Sequence, residues 1–153
     1  MERKVLASNR KAFYNYEILD KIETGIVLSG YEVKSARRSN ISLVDSVVRF
    51  AGGEAFADNM FIAPYEQIST HVSDYDPKRK RKLLMHKSEI TRLHTRVKEK
   101  GLTVIPLEVY VSSEGRIKVL IGLAKGKKIY DKKEAIKRKD IARETDREIT
   151  SNY

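Results

Sequence analysis

The sequence changes character at one point near its carboxyl end. Residues 117–123 (IKVLIGL) form an apolar run typical of a β-strand, whereas residues 126–153 are mostly charged. The apolar side chains of that last segment are too few to bury a helix face, so we expect it to be disordered or only nascently helical until it binds a partner. The sequence therefore predicts a folded domain over residues 1–125 and a basic C-terminal tail over residues 126–153.

Short apolar segments separated by turn signals run through the predicted domain. Tyr16–Asp20 and Gly25–Leu28 are predicted as two separate strands, and Gly52–Gly53 and Ser112–Gly115 as the turns of two β-hairpins. Pro106 lies inside the first strand of the second hairpin and favours a sheet edge or a bulge there. Short antiparallel strands, about six in number, predict a mainly β fold, a small closed antiparallel barrel.

One helix is predicted inside the domain. Leu83, Ile90, Leu93 and Val97 recur at roughly helical spacing, and Gly101 is a natural stop. We therefore expect a helix between Leu83 and Gly101.

The charge of the chain points to a polyanionic partner. There are 31 Lys and Arg against 21 Asp and Glu, a net charge of +10. Nucleic acid is the leading candidate, an anionic membrane face the lesser one, and a solvated surface without a ligand the third. Five adjacent cations cannot all leave water cheaply, so we expect the KRKRK run to stay exposed and to contact phosphates. Its members are Lys78, Arg79, Lys80, Arg81 and Lys82.

Several function classes have no support in the sequence. The chain has no Cys, which excludes disulfides and thiolate metal sites, and its three His residues do not stand at zinc-site spacing. No nucleophile elbow, phosphate-binding loop or dinucleotide fingerprint occurs. We therefore expect no catalytic residues, metal or cofactor. With no apolar segment of membrane-spanning length, a soluble cytoplasmic protein without a membrane partner is expected.

Several segments, in order and at matched spacing, resemble one known family. They are NRKA (9–12), ETGIVL (23–28), GYEVKSAR (30–37), DPKRKRKLL (76–84), GLTVIPL (101–107) and GLAKGKKIYDKK (122–133). From about Asn9 to Lys133 the sequence is similar to the bacterial tmRNA-binding small protein B family, also called the SsrA-binding proteins. One such motif would be a weak signal, but this many in register is a specific one.

The resemblance implies a fold, a function and an RNA face. The fold is an OB-like barrel with a few helices. The function is to bind the tRNA-like domain of tmRNA and deliver it to stalled ribosomes in trans-translation, the ribosome-rescue pathway. The RNA-facing positions are Asn9, Glu23, Leu84 and Lys118. Lys118 would contact phosphate, and Glu23 would accept a hydrogen bond from a base edge or a 2′-hydroxyl. Leu84 would pack either against an unstacked base or in the core.

For the tail, the resemblance implies a place on the ribosome. It would occupy the empty mRNA channel and the decoding centre of the small subunit as a helix, with Gly126 as its hinge and Tyr130 stacking on a ribosomal base. The residues concerned are Gly126, Lys127, Lys128, Tyr130, Asp131, Lys132 and Lys133. The family often has Arg where Lys133 stands, and acidic residues beyond it lower the charge of the tail.

The adaptor implied by the resemblance would be non-enzymatic and would be a monomer when free. Two other functions stay open beside it. A structural ribosomal or rRNA-binding protein could use the same tail to thread into folded rRNA. An enzyme acting on RNA would need carboxylates or histidines that converge in a pocket.

Overall fold

In the residues that the structure describes, one curved antiparallel sheet carries three helices and a second, two-stranded sheet. The computed structural model describes residues 3–65, 75–99 and 101–126. The strands in those ranges are β1 (Lys4–Ser8), β2 (Tyr16–Ile26), β3 (Ile41–Ser42), β4 (Val47–Ala51), β5 (Glu54–Asp58), β6 (Phe61–Ile62), β7 (Arg81–Leu84), β8 (Leu102–Val111) and β9 (Ile117–Gly126). The helices are α1 (Arg10–Asn15), α2 (Gly30–Arg37) and α3 (Lys87–Val97).

The sheet is open, so the predicted closed barrel is not confirmed, although the mainly β character with a few helices is. The strand order is β1-β8-β9-β2-β7-β5-β4, and β3 pairs with β6 apart from it. Among the described residues no ladder joins the two edge strands, β1 and β4. Instead β4 packs against β8, which already has β1 and β9 as its neighbours in the sheet. The sheet therefore curls over its core without closing.

Both predicted hairpins are confirmed. β4 and β5 are joined by Gly52 and Gly53, whose φ angles of 58° and 75° are ones that only glycine adopts easily. β8 and β9 pair over their full lengths around the second predicted turn. The register shifts between Pro106 and Glu108, so the bulge predicted at this proline is present.

Two predicted element boundaries are wrong. The segments predicted as separate strands form one continuous strand, β2, because β9 pairs with it from Tyr16 to Gly25. The predicted helix begins at Lys87, not Leu83, since Leu83 is buried in β7 between β2 and β5. The helix α2 was not predicted, because two of its three buried residues, Glu32 and Ser35, are polar.

The two faces of the central strands pack against different residues. Along β9, Val119, Ile121 and Leu123 belong to the main core, which also takes Ile90 and Leu93 of α3. Alternate residues point to the opposite face, called here the outer face. One end of the outer face is covered by α1, through a second cluster made of Ala12, Ile105, Leu107 and Ala124. The other end lies around Gly25 and Lys118, which are paired neighbours on β2 and β9.

None of the helices in the described part of the chain has the length and apolar character needed to cross a bilayer.

Candidate nucleic-acid interface

A row of paired residues crosses the outer face on four neighbouring strands. Leu84 pairs with Gly25, Gly25 with Lys118, and Lys118 with Tyr110. Directly paired residues in antiparallel strands project from the same side of a sheet. Two of the predicted RNA-facing residues, Leu84 and Lys118, are thus brought onto one surface, 34 positions apart in the sequence.

A cavity of about 320 Å³ opens between Leu84 and Lys118, over Gly25. Leu84 lies where it does because Gly25 has no side chain: a Cβ at that position would be 3.2 Å from the Leu84 Cβ. Leu84 is 54% exposed, so it is not a core residue, and its contact with an unstacked base stays a prediction. Leu28 and Val33 add further apolar lining.

The same cavity has a cationic rim, of which the sequence analysis identified only Lys118. Arg37, Arg116 and Lys118 line it, and Arg37 donates to the carbonyl oxygen of Gly115 at 3.0 Å. That bond joins the last residue of α2 to the β8–β9 turn, 78 residues further along the chain. An apolar floor with cations at its edge suits a flat, uncharged base flanked by phosphates.

Glu23 lies on the outer face two residues before Gly25 and is exposed. Its carboxylate accepts a hydrogen bond from the Tyr110 hydroxyl. The Tyr110 ring lies beneath Arg3, whose guanidinium carbon is 4.0 Å from the ring centroid. Burial, and then the bond to the Glu23 carboxylate and its charge, raise the pKa of Tyr110 to about 12. The hydroxyl is therefore protonated, and it donates, at any physiological pH.

Asn9 is not brought together with the other three predicted residues. It is buried and caps the N-terminus of α1, where its side-chain oxygen accepts from the backbone N–H of Ala12 at 3.3 Å. Its side-chain amide donates to the carbonyl oxygens of Pro106, at 3.1 Å, and Leu43, at 3.4 Å. Asn9 borders a different cavity, of about 200 Å³, so its observed contacts are those of a structural residue.

The prediction that all five cations of the KRKRK run stay exposed is wrong. Arg81 is completely buried, with its Nε 2.6 Å from Oε2 of Glu32. Its guanidinium also donates to the backbone oxygens of Met60 and Pro77 and to the Tyr75 hydroxyl. A buried cation is tolerable when it is paired and its donors are satisfied, which is the case here. Arg81 is thus not available to a phosphate.

Glu32 is the acidic centre of this buried cluster. Arg79 also bonds its carboxylate, and the backbone N–H of Ser29 donates to it at 3.0 Å. Burial would raise the pKa of Glu32, but the hydrogen bonds from Arg79, Ser29 and Arg81 outweigh that effect and lower it to about 2. Burial, and then the charge of Glu32, raise the pKa of Tyr75 to about 12. The cluster ties α2 to the start of β7.

The other three cations of the run are exposed, as predicted. Within β7, Lys82 alternates with the buried Arg81 and Leu83, so it shares the outer face with Leu84. Lys80 is the exposed residue directly before this strand. Lys82 pairs with Glu54 at 2.8 Å, and Lys80 lies 5.4 Å from the centroid of the Phe56 ring. A basic stripe, defined here as Lys80 and Lys82, therefore leads along β7 to the cavity.

The predicted ribosome-binding residues lie outside the described residues, except Gly126. That residue ends β9, and its N–H donates to the carbonyl oxygen of Gly101 at 3.2 Å. Lys127, Lys128, Tyr130, Asp131, Lys132 and Lys133 are not described.

Within the described ranges, no three His, Asp or Glu side chains are grouped as a metal ion would require. His86 begins α3 as its N-cap residue, and His94 stacks on Phe50 with ring centroids 5.3 Å apart.

Comparisons with known proteins agree on one family. A family model described as "SmpB protein" matches residues 6–151. The SsrA-binding protein of Enterococcus hirae is 52% identical over 146 residues, covering 95% of this chain and 93% of the relative. The SsrA-binding protein of Coprothermobacter proteolyticus is 54% identical over 150 residues, covering 98% of this chain and 99% of the relative. A solved structure described as "tmRNA-SmpB: a journey to the center of the bacterial ribosome" superposes with a TM-score of 0.68. It is 48% identical in sequence and covers 86% of this chain and 94% of the other.

Proposed function

The chain belongs to the SmpB protein family, and we propose that it is a non-enzymatic adaptor that binds the tRNA-like domain of tmRNA and delivers it to stalled ribosomes. Relatives that are about half identical over nearly the whole chain are named for binding SsrA, the tmRNA. A similar solved structure concerns tmRNA and the ribosome. The adaptor would act in trans-translation, in the cytoplasm where ribosomes translate.

The observation that best supports this function is the arrangement on the outer face. The cavity over Gly25 offers an apolar surface beside Leu84 and three cations at its rim. We assign this cavity to an unpaired base of the tRNA-like domain, with Lys118 on a neighbouring phosphate. Stacking and apolar contact with splayed bases are the usual means by which proteins recognise RNA loops.

The remaining predicted contacts divide into direct and indirect ones. Lys78, Lys80 and Lys82 are exposed, and we propose that they meet backbone phosphates leading to the cavity. Glu23 would accept from an amino group or a 2′-hydroxyl, which a cation cannot do. Asn9 and Arg81 would act from inside the protein, by holding α1 and β7 in place.

We further propose that the tail, residues 126–153, serves the ribosome and not the tmRNA. The RNA face described above lies entirely on residues before Gly126. The tail is positive overall and rich in helix-forming residues, which suits a segment that orders in the vacant mRNA channel. Gly126, where β9 ends, would be the hinge.

This division of labour can be tested in reconstituted translation of a message that lacks a stop codon. The full chain should bind the tRNA-like domain and support tagging of the stalled product by tmRNA. The chain cut after Gly126 should bind the tRNA-like domain as tightly but support no tagging. Failure of the full chain to support tagging would contradict the adaptor function, and equal loss of binding in the shortened chain would contradict the division.

A further inference from the structure

The outer face carries two carboxylates in one row, and they differ in the partners that they bind. Glu23 and Glu108 both pair with Leu120, one from each side of β9. Arg3 forms an ion pair with Glu108. In the described part of the chain no cation pairs with Glu23, which bonds the Tyr110 hydroxyl instead. One carboxylate is neutralised, and the other is left facing solvent.

Tyr110 is buried in an unusual place. Its neighbours in the row point to the outer face, and yet only 2% of Tyr110 is exposed. Arg3 covers one side of its ring, at 4.0 Å, and the hydroxyl is directed at Glu23. Tyr110 is therefore held by packing and by Arg3, so its hydroxyl is a fixed donor and not a mobile surface group.

From this arrangement we propose that Tyr110 is the positioning residue of the RNA site: its fixed hydroxyl holds the Glu23 carboxylate in the orientation in which it accepts a hydrogen bond from the RNA. Arg3 supports Tyr110, and by pairing with Glu108 it leaves Glu23 as the acceptor offered on this part of the face. The inference rests on the proposed function.

The positioned carboxylate would give the site a sequence or shape specificity that attraction between cations and phosphates cannot provide. A carboxylate repels phosphate and binds favourably only when the RNA places a hydrogen-bond donor next to it. Such a donor is a base amino group or a 2′-hydroxyl. A glutamate side chain on a β-strand has several rotamers, and ordering it when the RNA binds would cost affinity. A carboxylate already held by Tyr110 avoids most of that cost.

A double-mutant cycle on the full chain tests the proposal, with the tRNA-like domain of tmRNA as the probe. Tyr110→Phe removes one oxygen and no charge. We expect it to weaken binding about fivefold, the ordinary effect of one hydrogen bond, and to leave the salt dependence unchanged. In the Glu23→Ala background the same change should have almost no effect, because the acceptor that the hydroxyl positions is already absent.

The control variant is Tyr31→Phe, which removes a phenol oxygen elsewhere, from a ring packed edge-on against Tyr75 at 5.2 Å. It should bind as the wild type does. Wild-type affinity for Tyr110→Phe would overturn the proposal, and so would an equal loss in both backgrounds, because a merely structural role acts without Glu23. A Tyr110→Phe protein that fails to fold would overturn it too, since the hydroxyl would then serve the fold. Failure of the wild type to prefer the tRNA-like domain over ordinary tRNA would instead contradict the proposed function.

Discussion

Arg81 and Glu32 form an ion pair in which neither side chain is exposed to solvent, with Nε of the arginine 2.6 Å from the glutamate oxygen. The two residues are 49 positions apart, one on β7 and the other on α2. Leu84 ends the strand that Arg81 begins, and Val33 follows Glu32. The buried pair therefore fixes the distance between two sides of the cavity on the outer face.

Arg81→Met should destabilise the fold strongly. Removing one partner of a buried ion pair leaves an uncompensated charge and typically costs about 3–5 kcal/mol. The free energy of unfolding, measured by urea denaturation, should fall by about that amount. Arg49→Met is the matched control, because Arg49 pairs with Asp58 at 2.8 Å on the surface and is 63% exposed. It should cost less than about 1 kcal/mol, and similar costs for the two variants would argue against the buried pair.

Stability should fall in mild acid because of Glu32. Its pKa is about 2 in the folded protein and 4.5 when unperturbed, so the unfolded chain binds the proton more readily between these values. The stabilisation is complete above pH 4.5 and is lost as the pH falls toward 2. A shift of this size corresponds to about 3 kcal/mol. Unfolding curves from pH 7 to pH 2 measure it, and the Glu32→Gln variant should show a flatter pH dependence over the same range.

Gly25→Ala should separate RNA binding from stability. The new Cβ would be 3.2 Å from the Leu84 Cβ, so Leu84 must shift and the cavity changes shape. Because Leu84 is half exposed it can move, and alanine is favoured over glycine in a strand by roughly 0.5–1 kcal/mol. We expect weaker binding to the tRNA-like domain with an unchanged or slightly higher melting temperature. Gly30→Ala, where no atom lies within 4 Å, is the control. Unaltered RNA affinity in Gly25→Ala would count against the cavity as the binding site.

Lys118→Ala should reduce the salt dependence of binding as well as the affinity. Each phosphate contact that is lost lowers the slope of log K against log salt by about 0.7–0.9. Lys98, an exposed residue at the end of α3, carries the same charge on the helix that packs against the main core. Lys98→Ala should leave the slope unchanged. The same reduction in both variants would mean that the attraction is general and that Lys118 has no special place in the interface.

The local features of the fold were predictable where the sequence carries its own signal. Gly52 and Gly53 specify a turn, and Pro106 favours a sheet edge or a bulge, because each acts through its own backbone. Leu83 was assigned to a helix because its spacing from Ile90 fits one, but the neighbours that bury it, β2 and β5, are remote in the sequence. A pairing partner of that kind overrides the local pattern.

The candidate site was predictable only in part, for the same reason. Lys118 and Leu84 were identified through the family resemblance, and the strand register brings them to one surface. Arg81 was misassigned because its exposure depends on Glu32, a residue in a helix whose buried side is largely polar. Arg37 was not singled out, because nothing local marks its bond to Gly115.

The central claim is that the outer face recognises the shape of one RNA. A binding titration at several salt concentrations tests it most directly, comparing the tRNA-like domain of tmRNA with an ordinary tRNA and with an RNA duplex of equal length. The account predicts a strong preference for the tRNA-like domain that persists as salt is raised, since apolar and carboxylate contacts are not screened as phosphate contacts are. Equal and steeply salt-dependent binding to all three RNAs would contradict it and would favour a general rRNA-binding protein.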